Sequence, residues 1–237
     1  MDKKNFYFLW LVCVIGAWAV LPYSRYLEVV PSTVSVEALL FWTTLQAIPF
    51  FGLICWSCYK ILPQTDLYPF STLPKPIWLR QNFFPAVFWG VLVGITIYGL
   101  DQVVFNKSLL VRMHPPFWMG ALASFYGAIN EEVLLRLFLF SFLYFLLGKC
   151  VEIKHGRKLF SLWCINIFVS LIFGLGHLPA AFKLTTPSSY EILRLLTLNG
   201  IAGVVFGWLF WSRGFYAAVI AHFVTDVMIH VILIEVF

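Results

Sequence analysis

Residues 117–147 read FWMGALASFYGAINEEVLLRLFLFSFLYFLL, a run in which Glu131, Glu132 and Arg136 are the only charged side chains. A hydrocarbon core about 30 Å thick needs roughly 20 apolar residues of α-helix to cross it. At a rise of 1.5 Å per residue this run makes a rod of about 45 Å. It therefore tilts and projects from a bilayer, or it breaks into two elements.

Working outward, six further apolar runs cover 6–21, 38–62, 83–105, 159–178, 190–211 and 215–237. Of the 237 residues, 61% are hydrophobic and only 11% charged, against about 25% charged in a soluble domain. A water-soluble globule is excluded, and 25 Phe, 10 Trp and 10 Tyr exclude a solvated disordered chain. No internal repeat and no stretch long enough for a soluble domain is present. The expected fold is all-α: a polytopic transmembrane helical bundle of seven spans, eight if the fourth run breaks, forming one integral membrane domain over 1–237. A prokaryotic chain of this kind belongs in the cell (inner) membrane. Lys3 and Lys4, an apolar run and then Ala17-Trp-Ala19 imitate a signal peptide. The chain stays apolar afterwards, so a retained first span is the simpler reading.

The net charge of +5 does not point to nucleic acid, because the basic residues stand singly between apolar runs with no basic face. Membrane topology accounts for them. With a cytoplasmic N-terminus, Lys3, Lys4, Lys60, Lys75, Arg80, Lys149, Lys154, Arg157, Lys158 and Arg213 fall inside. Arg25, Lys107, Arg112, Lys183 and Arg194 fall outside, a positive-inside bias. Five cysteines, mostly within apolar runs, imply no disulfide framework. Cys55-Trp-Ser-Cys58 has redox-motif spacing but lies inside a span, where inert thiols are expected.

An ionisable side chain at the centre of a span costs about 2.5–3.5 kcal/mol to insert, so the few present mark the chemistry. Glu132 and Arg136 are four apart and share a helix face, where each lowers the burial cost of the other. Glu131 lies about 100° away and has no local partner. An unpaired carboxylate in that setting suits a general base or a proton carrier. His177 closes the fifth run beside Gly174, Gly176 and Pro179, where the helix should loosen. His222 and Asp226 are again four apart, so the carboxylate is expected to hold one imidazole nitrogen and leave the other aimed into a cavity. His230 lies two turns further on, and Asn199 occupies the sixth run. Gly90-x-x-x-Gly94 and Gly203-x-x-x-Gly207 allow close helix approach.

Three chemistries fit Glu131, His177, His222 and Asp226. Water activated by Glu131, alone or with His177, and an oxyanion held by His222 give peptide hydrolysis without a covalent intermediate. Two imidazoles with carboxylates also suit zinc, although the helical His-Glu-x-x-His signature is absent. A proton-coupled transporter or channel is the third.

Glu-Glu-x-x-x-Arg at Glu131, Glu132 and Arg136, Phe-x-x-x-His at Phe173 and His177, and His-x-x-x-Asp at His222 and Asp226 follow one another on successive spans. In this order they resemble the CPBP (CAAX prenyl protease and bacteriocin-processing, or Abi) family of intramembrane endopeptidases, which includes the Ras-converting CAAX endopeptidase. The resemblance covers about 117–237. It implies a polar chamber at bilayer depth, Glu131 and His177 activating water, and His222 with Asp226 forming the oxyanion site. Glu132 and Arg136 support that site. The family has been described as metal-dependent and as glutamate-type; the glutamate type, with no metal and no cofactor, is the expectation. The implied partner is a membrane-associated protein or peptide, whether a prenylated CAAX protein, a leader or a C-terminal sorting tail. Other members are linked to bacteriocin self-immunity, and a non-catalytic bacteriocin-immunity membrane protein is the alternative for this chain. Position 226 is often Asn in the family and is Asp here, so Asp226 must be protonated to serve an oxyanion, or must act on His222. One spatial question follows. His177 lies near the end of its run, whereas His222 lies about 10 Å into its own, and the two must meet.

Overall fold

The computed structural model describes residues 1–31, 33–105, 115–150 and 155–233. Lys107, Arg112, Lys154 and the last residues of the seventh run, 234–237, lie outside them. The described residues form helices and no strands. Seven helical stretches are long and apolar enough to cross a bilayer: Lys3–Tyr26, Val36–Gln64, Lys75–Val103, Phe117–Cys150, Gly156–Leu184, Ser189–Arg213 and Phe215–Ile232. These are spans one to seven.

Local chemistry sets their ends. The Ser35 hydroxyl accepts from the Ala38 amide and opens span two. Ser188 and Glu191 form a reciprocal capping box that opens span six. Spans six and seven are joined by Gly214 alone, at φ +99°, a conformation that favours glycine. A Cβ there would also come within 2.9 Å of the Pro69 carbonyl. The helix of span five closes at Gly176, turns at His177 and resumes at Leu178 with Pro179 in its first turn. The loosening expected beside that histidine is present.

Span four stays one rod, so no eighth element forms from it. Its excess length is taken up in wide π-helical turns at Gly127–Glu131 and Val133–Phe140. Such turns bond i to i+5 and occur often at functional sites. Here they lie on the residues that carry the charges. Spans four and five are the most deeply enclosed of the seven.

The paired glycines are contact points. Gly203 packs on Ser170 and Gly207 on Asn166, drawing spans five and six together. Gly90 and Gly94 lie against Ala221, Val224 and Met228, drawing span three onto span seven. The Thr225 hydroxyl donates to the Gly90 carbonyl at 2.9 Å. Asn199 is spent on its own helix, donating to the Leu195 carbonyl. Cys13, Cys55 and Cys58 are buried and free where spans one and two meet.

The basic residues sort by end. Lys158 pairs with Asp66, Arg213 donates to the Gln81 carbonyl, and Lys149 shares a cleft with Asp66. These contacts gather the ends of spans two, four and six and the starts of three and five, where Lys60, Lys75, Arg80 and Arg157 also lie. The opposite end carries Arg194, paired with Asp101, and Lys183, which donates to the Val29 carbonyl. The chain is an integral membrane protein with a basic end and a less basic one.

Two glycines of span three separate packing from propensity. A Cβ at Gly90 would lie 2.6 Å from the Ala221 carbonyl oxygen, whereas one at Gly99 meets nothing within 4 Å. Gly90→Ala should cost about 1–3 kcal/mol through overpacking. Gly99→Ala should be neutral or stabilising by up to about 1 kcal/mol. Thermal unfolding of the two variants in detergent reads the contrast.

Candidate active site

Span four lays Glu131, Glu132 and Arg136 along its π-helical turns. Glu132 and Arg136 are fully buried, with Glu132 Oε1 3.0 Å from Arg136 Nη1. The guanidinium also donates from Nη2 to the Gly203 carbonyl at 3.1 Å. It lies over the rings of Phe173 at 5.0 Å and Phe206 at 5.8 Å. Arginine suits this place: its planar, multi-donor group bonds a carboxylate and a carbonyl while stacking on aromatic faces. The expected pair is therefore present, and it reaches spans five and six.

Its other connection was not visible in the helical wheel. Glu132 Oε1 also lies 2.8 Å from His222 Nδ1, across from span seven. An ion-paired carboxylate accepts, so Nδ1 donates. Glu132, and not Asp226, is the carboxylate that orients the imidazole. Asp226 Oδ2 stands instead 3.5 Å from the opposite nitrogen, Nε2. Glu131 Oε2 stands 3.8 Å from the same Nε2. Adjacent residues on one helix thus clasp a single imidazole from its two edges. The 100° between them, read from sequence as separate faces, is the angle that a ring with a nitrogen on each edge accommodates.

Exposure separates the two glutamates. Glu132 is 0% exposed at its side chain, whereas Glu131 retains 25%. The His222 ring stacks on Phe206 with centroids 4.5 Å apart and planes 20° apart, and Phe173 meets it edge-on at 5.6 Å. Gly127 forms part of the wall. A Cβ there would sit 2.5 Å from Asp226 Oδ2 and 3.3 Å from His222 Nε2. Sequence reasoning passed over Gly127, although its place one turn before Glu131 was a signal.

His177 is not bonded to the group. Its Nδ1 lies 2.9 Å from the Phe173 carbonyl oxygen. A carbonyl only accepts, so Nδ1 carries the hydrogen and Nε2 of the neutral ring carries a lone pair. Phe173 stands edge-on to both imidazoles, 4.9 Å from His177 and 5.6 Å from His222. That aromatic ring bridges the offset between the two histidines. His230, two turns past His222, is 3.4 Å from the Tyr23 hydroxyl.

Among the described residues, no three His, Cys, Asp or Glu side chains are disposed to hold a metal ion. Glu132 Oε1 and His222 Nδ1 are already committed to each other.

Residues 113–228 match the family model described as type II CAAX prenyl endopeptidase Rce1-like. This segment belongs to the Rce1-like family. Comparison with curated proteins and with solved structures gave no match. The matched segment is just under half of the chain, and at family level it supports a CAAX-type intramembrane endopeptidase. The Rce1-like segment contains every charged residue of the cluster, and the first three spans lie before it.

Breaking a buried pair leaves the remaining charge uncompensated, at about 3–5 kcal/mol. Arg136→Met should destabilise the fold by that amount, since it strands Glu132. Glu131→Gln, at a part-exposed position, should move it by no more than about 0.5 kcal/mol. Chemical denaturation in detergent gives both values.

Proposed function

We propose that the chain hydrolyses a peptide bond of a membrane-associated protein or peptide by direct attack of water, with Glu131 as general base. The observation that supports this most is the arrangement at His222. Glu132 holds Nδ1, while Nε2 faces a part-exposed carboxylate 3.8 Å away. That spacing is too long for a hydrogen bond and leaves Nε2 and Glu131 free for two different atoms of a substrate.

In the proposed cycle Glu131 takes one proton from water, and the hydroxide oxygen bonds to the scissile carbonyl carbon. The carbonyl π electrons move onto oxygen. His222, as the imidazolium, donates from Nε2 to that oxyanion while Nδ1 stays on Glu132. The tetrahedral intermediate collapses, the C–N bond breaks, and the proton held by Glu131 passes to the leaving amine. His177 offers a lone pair at Nε2 to the other hydrogen of the water. Asp226 faces the imidazolium. Glu132 and Arg136 position His222.

The substrate chemistry follows the family level: a C-terminal CAAX-type segment, a leader or a sorting tail presented at the membrane. A cytoplasmic basic end would follow from the positive-inside bias.

Mass spectrometry of membrane-protein termini, with and without the active chain, would name the bond cut. Glu131→Gln should lower cleavage by at least about a hundredfold, the low end of a general base's contribution, without loss of the folded protein. Wild-type turnover by that variant overturns the assignment. Extensive chelation should leave the rate unchanged; a loss that zinc restores would move the reaction to a metal.

A further inference from the structure

A polar cavity lies at the basic end of the bundle, outside the cluster around His222. It measures about 880 Å³ and opens outward. Its wall is built from the link after span two, the start of spans three and five, and the end of span six. Lys158 and Arg213 bring positive charge to it, and Asp66 lies 2.5 Å from Lys158. Asn82 is only 5% exposed and lines the cavity. In the same wall Trp211 Nε1 and Arg213 Nε find no acceptor among the described residues. Buried polar groups in native proteins are nearly always satisfied, so a cluster of spare donors calls for a partner. The partner that fits is an acceptor with negative charge.

The surroundings identify it further. Leu159 lines the cavity and is 56% exposed, at the foot of a membrane span. Further along span five, an apolar groove of about 400 Å³ runs between Leu143, Leu147, Ile165 and Phe168 of spans four and five. Cationic pockets at the cytoplasmic ends of transmembrane helices are the usual setting for phospholipid headgroups. A donor-rich head cavity and an apolar groove that share span five match one amphiphile.

We infer that this cavity binds the phosphate headgroup of an anionic phospholipid, with an acyl chain along the groove between spans four and five. The Arg213 guanidinium, fixed by its bond to the Gln81 carbonyl, and the Asn82 amide hold the phosphate oxygens. Lys158, ion-paired with Asp66, stands in the same wall. The inference stands on this cavity alone and is independent of the peptidase reading.

The test is thermal unfolding of the full chain, purified in mild detergent, delipidated and titrated with phosphatidylglycerol, phosphatidylcholine or inorganic phosphate. A ligand that binds only the folded state raises the melting temperature with its concentration. Phosphatidylglycerol should raise it by several degrees, and the other two should not. Arg213→Gln and, independently, the volume-conserving Asn82→Leu should each remove at least half of that rise. Lys60→Gln, a basic position at the same end but outside the cavity, should retain it. Equal stabilisation by phosphatidylcholine overturns the proposal, as does full stabilisation by phosphate alone. Retention of the rise in both cavity variants, or an equal loss in Lys60→Gln, overturns it too.

Discussion

A guanidinium with no water around it has to be answered by protein. Arg136 is that group, and the C-terminal spans are arranged to answer it. Glu132 supplies the countercharge from one turn away, Gly203 a carbonyl from span six, and Phe173 and Phe206 ring faces from spans five and six. Glu132 then reaches on to His222 of span seven. One ion pair thereby fixes four spans to each other. A lone arginine or glutamate in this position would cost several kcal/mol; paired, and reaching Gly203 and His222, they tie the spans together.

The N-terminal spans take part, although they lie before the matched segment. The Asn130 amide donates to the Cys13 carbonyl of span one at 2.7 Å, and its oxygen occupies the space that a side chain at Gly16 would fill. Asn130 immediately precedes Glu131. Span one therefore pins the backbone from which the part-exposed carboxylate projects. The wide turn over Gly127–Glu131 sits between that anchor and Asp226.

The sequence made much of this legible. Apolar runs located every span because lipid leaves the backbone only helices, and four-residue spacing predicted the Glu132–Arg136 pair and the close-packing glycines. What escaped is what crosses between spans. Helix-face geometry, which is intrahelical, gave His222 to Asp226, whereas the closer carboxylate came from a helix 90 residues away. The part of Phe173 as a ring between two histidines is a tertiary fact with no periodic trace. The cavity at the basic end is likewise assembled from singly placed Asn82, Lys158, Trp211 and Arg213. In sequence each of these looks like an ordinary span-end residue.

Charge accounting bears on Asp226. Around His222 stand Glu131, Glu132 and Asp226, with Arg136 as the neighbouring permanent cation. Three carboxylates against one arginine make a net negative site in surroundings where unbalanced charge is expensive. An imidazolium at His222 offsets one carboxylate. In the proposed cycle one further proton, on Asp226, brings the set to balance. A protonated Asp226 is a hydrogen-bond donor. It then offers an oxyanion what an asparagine amide offers at the same place in the family pattern, and the acid at position 226 ceases to be an obstacle to the proposed cycle.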